Sequence, residues 1–345
     1  MVQTDARQQI IREWLSRDLR LPYERLLPAS SDASFRRYFR VFTPRGTYIV
    51  MDAPPGKEDV RPYLRVSALL DSIGAHVPQV HERDEARGLL LLEDLGTTAY
   101  LERLESAADP EPLYADALRL LADIQVQGKE ASSELAPYDR EALARELHLM
   151  PEWFCRRHLG FEPSDAEQEI LDTAFEFLIT AALAQPQVFV HRDYHSRNLM
   201  VVAERNPGVI DFQDALRGPV GYDLVSLLKD CYIGWPRARV QGWVSGYRSA
   251  LIARGFAAAS GPQFVRDFEL VGVQRHLKVL GIFARLWHRD GKRGYLQDLP
   301  RTLDYVRDTC TRYAELAALG AFLERRAVAE LLRANARAAA TQAQG

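Results

Sequence analysis

The apolar positions of the chain divide it into a strand-bearing N-terminal part and a longer, mainly helical remainder. Helical spacing of apolar residues predicts an amphipathic helix over residues 5–20, packed on a sheet, and another helix over residues 60–73. Between them, two stretches of alternating apolar residues, 35–42 and 47–51, flank a turn that contains Pro and Gly. This alternation around a turn predicts a β-hairpin.

Two further strands, over residues 78–81 and 88–93, are predicted before a D-L-G-T-T segment that is typical of a hinge. After residue 98 the pattern is mainly helical, except for residues 188–211, where short β-branched runs predict a small β-insert. The predicted helical segments of this remainder are residues 111–127, 138–158, 164–184, 222–232, 238–254, 264–288 and 300–334.

The composition excludes several classes of partner. With 47% hydrophobic and 26% charged residues, the 345-residue chain has an ordinary globular composition. A formal net charge of −3 provides no field that would attract nucleic acid or an anionic membrane, so we expect neither as a partner. No apolar run approaches the length of about 18 residues that spans a bilayer, and the cytoplasm is the expected location. Cys155, Cys231 and Cys310 lack any metal-ligand spacing and are predicted to be reduced core thiols.

The most specific motif is the segment H-R-D-Y-H-S-R-N over residues 191–198, with Asp211 thirteen residues after its last residue. Phosphoryl transfer requires a carboxylate beside the acceptor hydroxyl and oxygen ligands that hold Mg²⁺ on the phosphates of ATP. Asp193 is predicted to be the catalytic base, and Asn198 and Asp211 the metal ligands. Taken singly, Asp193 and Asn198 could simply cap a polar loop, but their joint spacing with Asp211 favours catalysis.

The pattern H-x-D-x-x-x-x-N followed by I-D-F resembles the aminoglycoside phosphotransferase family. The segments G-P-V-G-Y-D-L-V-S-L-L-K-D and R-D-G-K-R-G-Y-L-Q-D-L-P-R-T-L-D-Y-V look like the bacterial anomeric kinases within that family. Those enzymes phosphorylate N-acetylmuramate and N-acetylglucosamine at the anomeric hydroxyl in cell-wall recycling. The resemblance covers essentially the whole chain and implies an ATP- and Mg²⁺-dependent kinase for a small-molecule amino sugar.

The same resemblance implies an α+β, bilobal protein-kinase-like fold. Residues 1–95 would form a small N-terminal nucleotide-binding lobe with an antiparallel sheet, and residues 96–345 a larger, mainly helical catalytic and substrate lobe. His191 is expected to support the architecture of the loop rather than to transfer protons. Asp223 could be a helix N-cap, whereas the resemblance implies that it holds the catalytic loop from behind.

Two departures from the kinase pattern concern the phosphates of ATP. The strand over residues 47–51 contains no Lys, and the helix over residues 60–73 contains no Glu, although kinases of this architecture usually pair these two residue types. Other cations must then neutralise the charge on the phosphates. The candidate cations are Arg36, Arg37, Arg40 and Lys57.

No G-x-G-x-x-G loop is present, and the small residues 30–34 stand before the hairpin in its place. Ser31 and Ser34 are therefore predicted to approach the phosphates, although a plain turn explains them equally well. Adenine is expected to contact the hinge through the main chain of Glu93, Asp94 and Leu95, whose polar side chains could instead be solvated.

The sugar is expected to contact residues 148–157, where Trp153 could stack on a pyranose ring and Arg156 or Arg157 could pair with the lactyl carboxylate of muramate. Trp153 could equally belong to the core. Asp214 could bind sugar hydroxyls or cap a turn. Two other functions stay open: a kinase for another small hydroxyl substrate, such as an aminoglycoside, an amino alcohol or another sugar, and a nucleotide-binding pseudokinase.

Overall fold

A computed structural model of the chain describes residues 6–31 and 35–342. The chain forms two compact units. One runs from the first described residue to Arg103 and includes Arg197–Asp214, and the other comprises Leu104–Ser196 together with the chain from Ala215 onward. The first carries an antiparallel sheet and the second is mostly helical, which confirms the predicted α+β class.

The first unit is built on a five-stranded antiparallel sheet with the strand order β1-β2-β3-β5-β4. The predicted hairpin is confirmed, since β2 and β3 pair in continuous register and Thr43 lies opposite Gly46 across a two-residue turn. The other two predicted strands also form, as β4 and β5. The strands of this sheet are β1 (Arg25–Ser31), β2 (Arg37–Thr43), β3 (Gly46–Asp52), β4 (Val80–Asp84) and β5 (Leu89–Glu93).

The N-terminal helix covers one face of this sheet. It is α-helical over Ala6–Glu13 (α1) and continues as a wider helical turn over Trp14–Asp18. Ile11, Trp14 and Leu15 are buried in one cluster with apolar side chains of β2, β3 and β5. Its apolar stripe at helical spacing therefore faces a sheet, as the sequence predicts.

Strand β1 is absent from the sequence prediction, which placed no strand before residue 35. Pro28 lies inside β1, and the pairing with β2 shifts register between Pro28 and Ser30. Pro has no backbone N–H and is tolerated in a sheet mainly at edges and bulges. β1 is an edge strand with such an irregularity, and this explains why its sequence lacks a regular alternation.

The segment Arg197–Asp214 belongs to the first unit through two short strands, β7 (Leu199–Met200) and β8 (Gly208–Val209). These strands pair with each other. Isolated bridges join Gly208 to His76 and Met200 to Ala99. The predicted β-insert over residues 188–211 is thus confirmed as a set of short strands.

The second unit contains a two-stranded sheet of β6 (Gln187–Val190) and β9 (Leu216–Pro219) and most of the helices. A helical segment with wider turns, Met150–Leu159, follows the helix Arg140–Leu147. The helices after α1 are α2 (Arg61–Ser72), α3 (Tyr100–Ser106), α4 (Glu111–Gln127), α5 (Arg140–Leu147), α6 (Asp165–Leu183), α7 (Gly221–Leu228), α8 (Arg237–Ala253), α9 (Gly261–Asp290), α10 (Leu299–Cys310), α11 (Ala317–Arg326) and α12 (Val328–Gln342).

The single helical segment predicted over residues 300–334 is wrong, because the chain breaks there into α10, α11 and α12. Gly320 on α11 allows a close approach to the end of α10, since a Cβ at that position would lie 2.9 Å from Cys310 Cβ. Each of the three helices buries its own apolar residues. The apolar positions therefore keep their helical spacing across the breaks, and the breaks are not visible in the sequence pattern.

The three cysteines are free and buried, which confirms the prediction for them. Among the described residues, no helix has both the length and the apolar character needed to cross a membrane.

Candidate active site

The loop after β6 carries Asp193 and is fixed from behind by Asp223. The Asp223 carboxylate accepts hydrogen bonds from the backbone N–H groups of His191, at 2.6 Å, and Arg192, at 3.0 Å. Arg192 has a φ of 78°, a left-handed conformation that a non-glycine residue adopts only when its surroundings impose it. Burial raises the pKa of Asp223 to about 7, although the two N–H donors oppose this shift.

A buried cluster of charges holds the side chain of Arg192. Its guanidinium lies 2.6 Å from the Glu146 carboxylate, which lies 3.0 Å from Lys278 Nζ and also accepts a hydrogen bond from the Tyr138 hydroxyl. Lys278 in turn donates to the Tyr222 hydroxyl at 3.0 Å. Burial would raise the pKa of Glu146, but the charges of Lys278 and Arg192 outweigh it and lower that pKa. Glu146 is therefore an ionised partner of both cations.

A third contact fixes the loop on its C-terminal side. The buried Asp230 carboxylate accepts hydrogen bonds from Ser196, both from the backbone N–H at 3.0 Å and from the hydroxyl at 2.5 Å. His191 Nδ1 lies 3.3 Å from the backbone N of Asp193 and accepts its N–H. The backbone around Asp193 is thus restrained on both sides, which is what positioning a reacting group requires.

Asp193 itself remains partly accessible, because 47% of its side chain is exposed. Burial would raise its pKa, but the charges of Lys278, His195, Arg275 and Arg192 outweigh this effect and lower the pKa of Asp193 to about 2. His195 Nε2 lies 4.0 Å from the Asp193 carboxylate. Asp193 is consequently an ionised carboxylate at neutral pH, able to accept a proton.

In the first unit, the β7–β8 hairpin brings Asn198 and Asp211 together. Ile210 N donates to Asn198 O at 3.1 Å, and Asn198 Nδ2 lies 3.3 Å from Asp211 Oδ2. Gln213 Nε2 donates to Asp211 Oδ1 at 2.8 Å. Asp211, two residues after the end of β8, has a φ of 63° and is held in a left-handed conformation. Such conformations cluster at functional sites.

Among the predicted phosphate-binding cations, Arg36 lies beside this hairpin. The residue is 9% exposed, and its Nη2 lies 3.9 Å from Asp211 Oδ1 and 3.8 Å from Asp214 Oδ2. The Nζ of Lys57 lies 4.8 Å from the centroid of the Phe35 ring. Arg36 therefore places a positive charge within 4 Å of a predicted metal ligand.

The other two cations of that set are bound to carboxylates. Arg37 donates to the buried Asp52 at 2.6 and 3.1 Å. Arg40 makes a bidentate pair with Asp94, at 2.6 and 2.9 Å, and donates to Gly96 O at 2.8 Å. Two parallel bonds of this kind fix the guanidinium plane and hold the strand end against the hinge segment.

A cavity of about 450 Å³ lies within the first unit, between the sheet and the β7–β8 hairpin. Glu93 lines it, but its carboxylate is already engaged with His76 Nε2, at 3.1 Å, and Gln79 N, at 3.2 Å. Ser31 ends β1 and Ser34 lies outside the described residues. The cavity is also lined by Arg40, Ile49, Leu92, Asp94, Leu95, Asn198, Met200, Ile210 and Asp211.

The residues predicted to bind the sugar are found in two places. Trp153 and Arg156 lie on the segment Met150–Leu159, where Arg156 is exposed and forms ion pairs with Glu152, at 2.9 Å, and Glu162, at 2.6 Å. Asp214 has a side chain that is 60% exposed and lies in the first unit. The structure does not place Asp214 in the same unit as Trp153 and Arg156.

An aromatic row that the sequence analysis missed begins next to Asp193. The ring of His195 lies 5.3 Å from that of Tyr232, which lies 5.9 Å from Phe283. Phe283 is in turn 5.1 Å from Tyr295. Tyr232 and Tyr295 are partly exposed. Rings of this kind can pack against the apolar face of a sugar.

Comparison with known proteins identifies the family. Residues 25–268 match the model of the phosphotransferase enzyme family, which is more than half of the chain. The chain belongs to that family. The prediction of an enzyme related to the aminoglycoside phosphotransferases is thereby confirmed.

Two relatives of this phosphotransferase share most of their length with it. The N-acetylmuramate/N-acetylglucosamine kinase of Pseudomonas putida is 45% identical over 331 residues, which cover 93% of this chain and 96% of that protein. The kinase of the same name from Neisseria meningitidis serogroup B is 43% identical over 327 residues, covering 92% and 95%.

Among solved structures, choline kinase LicA from Streptococcus pneumoniae superimposes with a TM-score of 0.62 at 13% identity, covering 88% of this chain and 100% of that one. This likeness shows the fold alone and confirms the predicted kinase-like fold.

Asn198 and Asp211 of the phosphotransferase fit a magnesium ion by the chemistry of their donor atoms. Mg²⁺ prefers oxygen ligands and is usually bound through one or two carboxylates together with substrate phosphates and water. The hairpin offers one carboxylate and one carboxamide in contact with each other. Among the described residues, no group of three or more His, Cys, Asp or Glu side chains could hold a metal, so the fit depends on phosphate oxygens as the remaining ligands.

Glu146, Asp230, Lys278 and Arg275 are charged residues near the loop that sequence reasoning missed. Lys278 and Arg275 lie on α9 among apolar residues, and both are buried. Arg275 Nε has no hydrogen-bond partner among the described residues. Ionisable residues inside an otherwise apolar helical run are rarely buried without a role, and this signal could have drawn attention to Lys278 and Arg275.

Proposed function

We propose that this phosphotransferase transfers the γ-phosphoryl group of ATP to the anomeric hydroxyl of N-acetylmuramate or N-acetylglucosamine, or of both, as a step of peptidoglycan recycling. The relatives named for these sugars support the substrate, because they match over more than nine tenths of both chains. The geometric observation that carries the proposal is an ionised, half-exposed Asp193 on a loop fixed by Asp223, Glu146 and Asp230.

Asp193 accepts the proton of the anomeric hydroxyl as that oxygen forms its bond to the γ-phosphorus and the bond from phosphorus to the β,γ-bridging oxygen breaks, leaving ADP. An anomeric hydroxyl is more acidic than an ordinary alcohol, so orientation by the fixed loop contributes more than the basicity of Asp193. A covalent phosphoenzyme is not required.

The first unit would bind the nucleotide. The apolar lining of its cavity, with Ile49 and Leu92, suits adenine beside the main chain of Glu93 and Leu95. Asn198 and Asp211 would hold magnesium, which neutralises charge on the phosphate oxygens when bound. The predicted lobes, residues 1–95 for the nucleotide and 96–345 for catalysis and substrate, are part of this proposal, as are Ser31, Ser34 and Arg40 as phosphate neighbours.

Arg36 is the cation that we favour as a substitute for the missing strand lysine. It is buried and adjacent to Asp211 and Asp214, whereas Arg37 and Arg40 are already paired at shorter distances with Asp52 and Asp94. A guanidinium at this position could bind a phosphate group through two parallel hydrogen bonds.

For the sugar, the proposal retains Trp153, Arg156 and Asp214 and adds the aromatic row that starts at His195. Arg156 would pair with the lactyl carboxylate that muramate has and glucosamine lacks. Tyr232 is the member of the row in contact with His195, two residues after Asp193, and a pyranose ring packed on it would approach the catalytic loop.

A coupled ADP-release assay tests this function. The acceptors are N-acetylmuramate, N-acetylglucosamine, choline, homoserine and an aminoglycoside, each supplied with ATP and Mg²⁺. We expect turnover with the two N-acetylated sugars alone, and NMR of the product should place the phosphate on C1. Turnover of another acceptor in preference would assign a different kinase activity, and no turnover with any acceptor would favour a nucleotide-binding protein without transfer.

A further inference from the structure

A second cavity, of about 580 Å³, lies within the helical unit among α8, α9 and α10. Its lining has no residue in common with the cavity of the first unit and none in the loop 191–198. The wall combines aromatic rings with charged groups of both signs, the cations Lys229, Arg237, Arg301 and Arg312 and the carboxylates Glu269, Asp304 and Asp308. Its volume is in the range of about 300–1,000 Å³ that is typical of small-molecule sites.

Lys229 at this cavity is a buried cation on which the carboxylates Glu269 and Asp308 act from beyond ion-pair distance. The residue is 7% exposed, and no carboxylate of the described residues lies within ion-pair distance of its Nζ. Its Nζ makes a long hydrogen bond of 3.4 Å to Thr309 Oγ1 and lies 5.5 and 6.0 Å from the ring centroids of Phe268 and Tyr305. Burying an ammonium group is costly, and burial lowers the pKa of Lys229 to about 8, an effect that the charges of Glu269 and Asp308 oppose.

Arg301 is a second cation of the wall in the same situation. It is partly buried, donates to Cys231 O at 2.9 Å, and has no ion pair with a carboxylate in the described part of the chain. The other two arginines of the wall differ, because Arg237 and Arg312 approach Glu269 at 3.6 and 3.0 Å. Lys229 and Arg301 are therefore the two cations of the wall that form no ion pair with a carboxylate in the described part of the chain, although the wall also carries Glu269, Asp304 and Asp308.

We propose that this cavity is a binding site for a small phosphate monoester carried on a ring. Lys229 and Arg301, which no carboxylate contacts directly, can offer hydrogen-bond donors and positive charge to a phosphate monoester, which bears a charge of about −2 at neutral pH. Charge-assisted hydrogen bonds from an ammonium and a guanidinium are the usual means of phosphate recognition. Trp235 and Tyr305, which also line the cavity, would contact the ring.

Phenyl phosphate is a suitable probe, because it joins a monoester to a flat ring. Isothermal titration of the full chain with phenyl phosphate, in the presence of saturating Mg·ADP, should show binding with a dissociation constant of about 1 mM or below. Benzoate, with a single charge, should bind about tenfold more weakly, and benzyl alcohol should not bind measurably. Binding of benzyl alcohol as tight as that of phenyl phosphate would overturn the proposed role of the two cations.

Substitutions in the wall of this cavity test whether phenyl phosphate binds there. Lys229→Met and Arg301→Gln should each weaken binding of phenyl phosphate tenfold or more, whereas Arg333→Met, an exposed change on α12, should leave it unchanged. Arg301 is partly exposed, so Arg301→Gln tests the site even if the buried Lys229→Met variant does not fold. No binding to the parent protein, or equal binding to the parent protein and to Arg301→Gln, would overturn the proposal. Neither result bears on the sugar kinase activity, which is assayed without this probe.

Discussion

The Nζ atom of Lys278 lies 3.0 Å from the carboxylate of Glu146. The same carboxylate binds the guanidinium of Arg192, the residue before Asp193. Two helices and the loop that carries Asp193 thus share one buried anion. Removing one member of such a cluster leaves the others as uncompensated buried charges, which typically costs about 3–5 kcal/mol.

Glu146→Gln should therefore lower kcat by about ten- to a hundredfold and lower the melting temperature, because Arg192 loses the partner that fixes the loop. The KM for ATP should change little, since the proposed nucleotide cavity lies in the other unit. Glu141→Gln is a matched control on the same helix, as Glu141 has a side chain that is 85% exposed. If the two variants had the same kcat, Glu146 would have no part in positioning Asp193.

The acid limb of the pH dependence of kcat should reflect the titration of Asp223 rather than that of Asp193. Asp193, with a pKa of about 2, stays ionised above pH 5 or so. Asp223 has a pKa of about 7 and accepts the two loop N–H groups best as a carboxylate, so kcat should rise as pH increases through about 7. Asp223→Asn should have a lower kcat, and this kcat should not rise near pH 7. If the variant kept the acid limb of the parent protein, that limb would belong to another group, such as the ATP phosphate.

Stability should change with pH in the opposite direction. The folded pKa of Asp223 is raised above its unfolded value of 3.8. Its contribution to the free energy of unfolding is then fully present below about pH 4 and is lost as pH rises through about 7. Denaturant titrations at a series of pH values give the free energy of unfolding of the parent protein and of Asp223→Asn. If the difference between these two free energies did not change with pH, the prediction would be contradicted.

Arg36→Met should raise the KM for ATP by about tenfold or more and reduce kcat, because the buried Arg36 guanidinium lies 3.9 Å from the Asp211 carboxylate. Arg37→Met is the matched control on the adjacent position. It should lower stability modestly through the loss of one ion pair to Asp52, which keeps Arg7 as a partner, and leave the kinetics with ATP unchanged. Equal effects of both substitutions on the KM for ATP would argue against a special role for Arg36.

Arg156→Met separates the two sugars. If Arg156 pairs with the lactyl carboxylate, the KM for N-acetylmuramate should rise by about tenfold while that for N-acetylglucosamine stays constant. Arg145→Met, at another exposed arginine of the helical unit, should alter neither value. An equal change for both sugars would mean that Arg156 acts on the segment around Trp153 and not on the carboxylate.

The features that sequence could predict are those encoded within a few residues. The hairpin of β2 and β3 and the buried face of α1 follow from local periodicity, and the motif residues Asp193 and Asn198 are separated by a fixed spacing on one loop. Strand β1 was not predicted, because Pro28 and a register shift remove the alternation of apolar and polar residues on which such a prediction depends.

The supports of the catalytic loop could not be predicted in the same way. Glu146 contacts Arg192 across 46 positions of sequence, and nothing in its local helix distinguishes it from a solvated glutamate. The same holds for the pairing of Arg40 with Asp94 across 54 positions. Such partners are selected by tertiary packing, whereas a motif is visible because its parts are neighbours in the chain.

The most direct test is the rate of ADP release by Asp193→Asn with N-acetylmuramate and N-acetylglucosamine. The substitution keeps the size of the side chain but removes the proton acceptor, so kcat should fall by about a hundred- to ten-thousandfold, with the KM for ATP and the melting temperature close to those of the parent protein. An Asp193→Asn protein that turned over either sugar at the parental rate would contradict the assignment of Asp193 as the base.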